Sequence, residues 1–185
     1  CSRNHGLIHE EASLRNRDAA VGRDGTRNPW YYELHEPGFN YRASDIHCAL
    51  GLSQLRKLNG FVARRQELAD TYDKALADLA PLICPVPRIS WGTSGRHLYP
   101  VLIDFDKIGL DRSDVMRTLH DAGIGTQVHY FPVHRQPYYA DLYPGIELPG
   151  ADRYYERCLS LPLFPAMADS DVAHVADALR TILTR

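Results

Sequence analysis

The chain has 185 residues, 44% of them hydrophobic, and its 21 Lys and Arg against 23 Asp and Glu leave a net charge of -2. That length buries a real core, as one domain or one domain with a piece of another, and the scattered basic residues form no stripe for nucleic acid. Apolar runs such as 101–103 and 159–164 are too short and too interrupted to cross a bilayer, and no membrane partner is expected.

Four cysteines, at 1, 48, 84 and 158, make no CxxC pair and no zinc-ligand set, so reduced thiols and a cytoplasmic setting are expected. The chain opens Cys-Ser-Arg-Asn-His without an initiator Met, which suits part of a longer reading frame. Residues 1–39 are polar and broken by Gly22, Gly25, Pro29, Pro37 and Gly38, and they read as a long loop with little core. Asn40, Tyr41 and Arg42 then stand at a helix entrance, where Ser44 and Asp45 supply an N-cap and a first-turn acid. On physics alone that run is a polar turn.

From Ser44 the spacing of Ile46, Ala49, Leu50, Leu55 and Leu58 predicts a helix, with Cys48 as a small core residue. Asn59-Gly60 offers a break, and Phe61, Val62, Leu68, Tyr72, Leu76 and Leu79 carry a second helix toward Pro81. Together they form a long, bent helical spine. After a proline-rich crossing, HLYPVLIDF puts His97, Tyr99, Val101, Ile103 and Phe105 on one side of a strand, and Pro100 argues for an edge strand or one-sided pairing there. Ser113 caps a helix through Val115, Met116, Leu119 and Ala122, closed by Gly123. A strand over Thr126 to Phe131, a short helix from about Asp152 to Cys158, and a last helix capped by Ser170 that buries Val172, Val175, Leu179 and Ile182 complete the order. This is an α/β arrangement, a small sheet with helices on one face.

TQVHYFPVHRQPYY, residues 126–139, is the densest polar and aromatic cluster, and a rim of such donors on a proline-stiffened loop suits a sugar or nucleotide. Packing with wet tips explains the same composition. His129 and His134 have no metal-ligand spacing and read as structural; no metal is expected. There is no GxGxxG, Walker or GxSxG motif, and Lys57, Lys74 and Lys107 read as solvated charges.

GFNYRASDIHCALGLSQLRKL, RRQELADTYDKAL, HLYPVLID, GIGTQVHYFPVHRQPYY and CLSLPLFPAM, in that order and spacing, resemble the C-terminal half of the pyridoxal-phosphate sugar aminotransferases of the DegT type. The resemblance implies the C-terminal small domain of the aspartate-aminotransferase fold. Residues 1–39 would be a remnant of the large-domain connection, 40–80 a linking spine and 81–185 the small domain. It also implies pyridoxal 5′-phosphate as cofactor and homodimers with shared active sites. Asn40 would reach the phosphate of the neighbour's cofactor, Arg42 would bind an anionic group of the substrate, and Gln127, His129 and Tyr130 would line the sugar-nucleotide side. The reaction implied moves an amino group from an amino-acid donor, L-glutamate, to the C4 keto group of a UDP-linked 4-keto-6-deoxy-N-acetylhexosamine. In this family the Schiff-base lysine belongs to the N-terminal domain, expected upstream of Cys1, so no catalytic residue falls within the chain and the chain alone is expected to be inactive. A catalytically dead dimerisation or binding module, or a pyridoxal-phosphate sugar dehydratase of the same fold, would show the same segments.

Overall fold

The computed structural model describes residues 7–8, 14–16, 19–22, 24–39, 43–88 and 91–183. The chain divides into two compact units, Cys1–Lys57 and Leu58–Arg185.

In the first unit, β1 (Leu7–Ile8) pairs antiparallel with β2 (Glu33–Leu34), and much of the surrounding loop is organised by one carboxylate. Glu33 accepts from the backbone N–H groups of Arg15 (2.8 Å) and Asn16 (2.7 Å) and from the Tyr31 hydroxyl (3.2 Å), and lies 2.5 Å from His35 Nε2. The His35 bond first, then the two backbone donors, hold its pKa down to about 2. Of the loop predicted for 1–39, the described residues form this one short strand pair, bury Leu14 and Ala20, and gather donors around Glu33.

Helix α1 (Asp45–Leu55) begins at the expected cap: Ser44 Oγ accepts from the His47 N–H (3.5 Å) and lies 2.8 Å from His47 Nδ1. No residue of α1 is buried, and Cys48, expected in a core, is exposed. The reason is the spread of Ile46, Leu50, Leu52 and Leu55 around the circumference, which leaves no single stripe for one core to cover. The helix ends in a turn at Arg56 and Lys57, whose N–H groups bond Leu52 and Gln54 carbonyls. The break predicted at Asn59-Gly60 thus falls earlier. Both residues sit in the first turn of α2 (Leu58–Ala75), where N–H groups have no intrahelical partner and poor helix formers cost less.

The second unit is built on a three-stranded antiparallel sheet, order β3 (Ile83–Pro85), β4 (Tyr99–Ile103), β5 (Cys158–Leu161). Alternation in β4 holds as read: Tyr99, Val101 and Ile103 are buried, while Pro100 and Leu102 are half-buried. Yet β4 is the central strand, not an edge. Pro100 is tolerated because β3 has run out beside it: Pro85 pairs with Val101, and the Pro100 carbonyl accepts a last bond from the Val86 N–H (3.2 Å). The missing N–H faces the same side and forgoes only the reciprocal bond to Val86, at the very end of the ladder.

After β4 come α3 (Phe105–Ile108) and α4 (Arg112–Asp121), with Asp111 rather than Ser113 at the N-cap position. Gly123 closes α4 as expected, at φ +78° with its N–H on the His120 carbonyl (2.8 Å). Short α5 (Pro137–Leu142) and α6 (Pro149–Arg157) follow, and α6 gives way to β5 at Cys158. In α7 (Asp169–Leu183) the expected Val172, Val175, Leu179 and Ile182 are all buried. Its first turn is fixed by Asp171, which accepts from the Ala168 N–H (2.8 Å), not by Ser170.

One core joins these elements. Leu68 and Tyr72 of α2 with Leu76 just beyond it, Val115 and Leu119 of α4, and the buried face of α7 pack with Tyr99, Val101, Ile103, Leu159 and Leu161, so the helices cover one face of the sheet. Each such aliphatic side chain contributes about 1.5 to 3 kcal/mol on burial. Ser160 and Cys158 alternate with Leu159 and Leu161 along β5, and so point to the opposite face.

The strand predicted over Thr126 to Phe131 does not form. Only Gln127 pairs, in an isolated antiparallel bridge to Ser160. β5 already holds the place beside β4, and this segment meets only its outer edge before Pro132 ends it.

Candidate substrate-facing wall

The segment that carries the wall is fixed at three points, all within the second unit. At its start, the Gln127 N–H donates to the Ser160 carbonyl (3.2 Å) and the Ser160 N–H donates back (2.8 Å). Gln127 Oε1 accepts from the Val128 N–H (2.9 Å), so this exposed amide also stiffens its own turn. Two residues on, His129 Nδ1 lies 2.8 Å from Ser160 Oγ, and the His129 ring meets Tyr130 edge-to-face at 4.6 Å. His129 is half-buried, whereas Tyr130 is 71% exposed.

The middle is held by aromatic packing. Phe131 meets the Tyr155 ring edge-on at 5.3 Å, and the Arg112 guanidinium lies over Tyr155 (4.7 Å) and near Phe105 (5.6 Å). Arg112 also donates to the Tyr155 carbonyl, which binds α4 to α6. At the far end, His134 Nε2 and Arg135 Nε lie 3.2 and 2.7 Å from Asp152 Oδ1 in the first turn of α6. With its side chain 10% exposed beside that carboxylate, His134 has the surroundings of a structural histidine.

The outcome is a polar surface of amide, imidazole and phenol on a rigid mount. Of the five residues singled out in the sequence, Gln127, His129 and Tyr130 are brought together; Asn40 and Arg42 lie outside the described residues. Ser160, Tyr155, Arg112 and Asp152, which hold the wall, were not read from the sequence. For Ser160 the available signal was a lone hydroxyl inside the apolar run CLSL. Among the described residues, no three His, Cys, Asp or Glu side chains group to hold a metal ion.

Solved structures similar to this chain include sugar aminotransferases, one of them in its pyridoxal-phosphate form. The chain belongs to the DegT/DnrJ/EryC1/StrS aminotransferase family, whose profile matches residues 3–180. It is similar to the spore coat polysaccharide biosynthesis protein SpsC of Bacillus subtilis, 40% identical over 168 residues, covering 89% of this chain and 43% of SpsC. Among structures it is similar to Helicobacter pylori PseC, an aminotransferase involved in the biosynthesis of pseudaminic acid, with a TM-score of 0.77 and 27% identity over 97% of this chain and 43% of PseC. The pyridoxal-phosphate form of the putative sugar aminotransferase Spr1654 from Streptococcus pneumoniae matches at TM-score 0.70 and 27% identity, covering 84% of this chain and 39% of that one. The chain therefore spans less than half the length of the relatives it matches.

Pyridoxal phosphate is the cofactor of this family. Lys107 is exposed and holds its Nζ 2.7 Å from Asp104 Oδ2, and Lys57 and Lys74 are exposed.

Proposed function

We propose that this chain is the C-terminal small-domain part of a sugar-nucleotide aminotransferase. The reaction would transfer an amino group from L-glutamate to the C4 keto group of a UDP-linked 4-keto-6-deoxy-N-acetylhexosamine. The product would be UDP-4-amino-4,6-dideoxy-N-acetyl-β-L-altrosamine, on the way to pseudaminic acid. The observation that carries the reading is the likeness to PseC along almost the whole chain, supported by the RNHGL, HLYP and QVHY segments. Gln127, His129 and Tyr130 supply hydrogen-bond groups for a sugar or its diphosphate; Asn40 reaches the neighbouring subunit's cofactor phosphate in a homodimer, and Arg42 binds an anion bidentately. The free thiols of Cys48, Cys84 and Cys158 suit work in the cytoplasm.

The complete protein, incubated with the 4-keto sugar nucleotide, L-glutamate and pyridoxal phosphate, should yield the 4-amino sugar nucleotide with 2-oxoglutarate in equal amount by mass spectrometry. Loss of the C3 hydroxyl instead would assign the dehydratase reaction, and no turnover of either kind would assign a binding module. Without its upstream part, the 185-residue chain should show no turnover and no borohydride-reducible adduct on one particular lysine.

A further inference from the structure

Apart from the tyrosines Tyr72 and Tyr99, Ser160 is the one buried residue with a polar oxygen in its side chain among the described residues, 5% exposed in the middle of β5. Its position across from Pro100 in the β4–β5 ladder turns its own N–H and C=O outward, where both are taken by Gln127. That leaves the hydroxyl, and among the described residues its one partner is His129 Nδ1 at 2.8 Å.

A serine hydroxyl can donate to an imidazole nitrogen or accept from it. If it accepted here, its own hydrogen would have no acceptor in a buried place, which is unfavourable. If it donates, the hydroxyl hydrogen and the Nδ1 lone pair satisfy each other, and the ring proton must then sit on Nε2. We infer that Ser160 is a positioning residue, holding His129 in the Nε2–H form so that the wall presents a hydrogen-bond donor to an oxygen of the ligand. The ligand half of this inference rests on the function proposed above. The donor suits a sugar hydroxyl, a keto oxygen or a phosphate oxygen, and disfavours a ligand group that is itself a donor.

Backbone geometry supports the arrangement. The reciprocal pair of backbone hydrogen bonds between Gln127 and Ser160 fixes the segment two residues before His129, and the Tyr130 ring packs against the imidazole. Ring position is therefore set by the backbone and by Tyr130, and the tautomer by Ser160. This is the division of labour seen where a second group chooses which imidazole nitrogen carries the proton.

The experiment is nitrogen-15 NMR of the neutral imidazole rings in the 185-residue chain, with His129→Gln to assign the signal. The expected result is a single Nε2–H form in the wild type, a mixture of both forms in Ser160→Ala, and recovery of one form in Ser160→Thr, which keeps the hydroxyl. Melting curves of Ser160→Ala check that its fold persists, and a change in the His129 signal alone distinguishes positioning from general loosening. An Nδ1–H form or a mixture in the wild type would overturn the inference, as would a Ser160→Ala spectrum identical to the wild type. These outcomes need no ligand, so they leave the proposed function standing. In the complete enzyme, Ser160→Ala should raise KM for the sugar nucleotide about tenfold with kcat changed less, and Ser160→Thr should restore it. An unchanged KM beside an altered tautomer would overturn the role of the Nε2–H donor in ligand binding.

Discussion

Tyr99 donates its hydroxyl to Asp73 across 2.6 Å, tying the first residue of the central strand to helix α2. Its ring stacks on Tyr72 at 4.6 Å, and Arg88 closes the group with contacts of 2.5 Å to both Asp70 and Asp73. Burial first, then the bond to Asp73, pushes the Tyr99 phenol above its ordinary pKa, so it acts as a neutral donor to a carboxylate.

Tyr99→Phe should therefore lose a charge-assisted bond and destabilise the domain by about 1.5 to 3 kcal/mol. Tyr72→Phe loses a neutral bond to the Pro162 carbonyl and should lose about 0.5 to 1.5 kcal/mol. Urea titration of the two variants gives the order directly, and the reverse order would refute the account.

Glu33 makes the first unit acid-sensitive. Its pKa lies near 2 in the folded chain against an ordinary 4.5, so its contribution is complete above 4.5 and is lost as the pH falls from there toward 2. Hydrogen exchange at the Arg15 and Asn16 amides should show protection fading across that window. In Glu33→Gln the fading should disappear, and equal fading in both chains would assign the effect elsewhere.

Helix α1 leaves Ile46 81%, Leu50 59% and Leu55 65% exposed, apolar surface on more than one side of the helix that water tolerates poorly. Light scattering should show the chain associating as its concentration rises, and Leu50→Lys with Leu55→Lys should suppress this. A wild-type monomer at high concentration would contradict the prediction.

Asn40 lies outside the described residues, and its role rests on the resemblance alone. In the complete enzyme, Asn40→Ala should weaken cofactor retention roughly tenfold to a hundredfold, since a charge-assisted bond is worth about 1.5 to 3 kcal/mol. Mixing these subunits with subunits lacking the catalytic lysine should restore activity, because the intact lysine is then served by the partner's Asn40. No recovery despite proven subunit exchange would return Asn40 to a polar turn.

Much of the second unit was legible in the sequence because burial there follows simple periods. Tyr99, Val101 and Ile103 alternate, and Val172, Val175, Leu179 and Ile182 keep helical spacing. The outer strands were not legible for two different reasons. Prolines around Ile83 mask β3, and β5 is buried at all four positions, which erases alternation. Missing β5 hid Ser160, so the sequence showed His129 without the group that holds it. Exposure of α1 was hidden as well, since apolar spacing records a tendency to pack and not the partner.

The small sheet has two outer strands, and each has its open side blunted. β3 is three residues long and carries Pro85, with Pro81 and Pro87 flanking it, and none of these prolines has an N–H to offer an incoming strand. On the other side, Gln127 occupies the N–H and C=O of Ser160, and Pro162 follows directly after Leu161. The hydrogen bonds that mount the polar wall thus also close the sheet against strand addition by another chain, which steers association of this protein toward side-chain surfaces rather than toward fibrils.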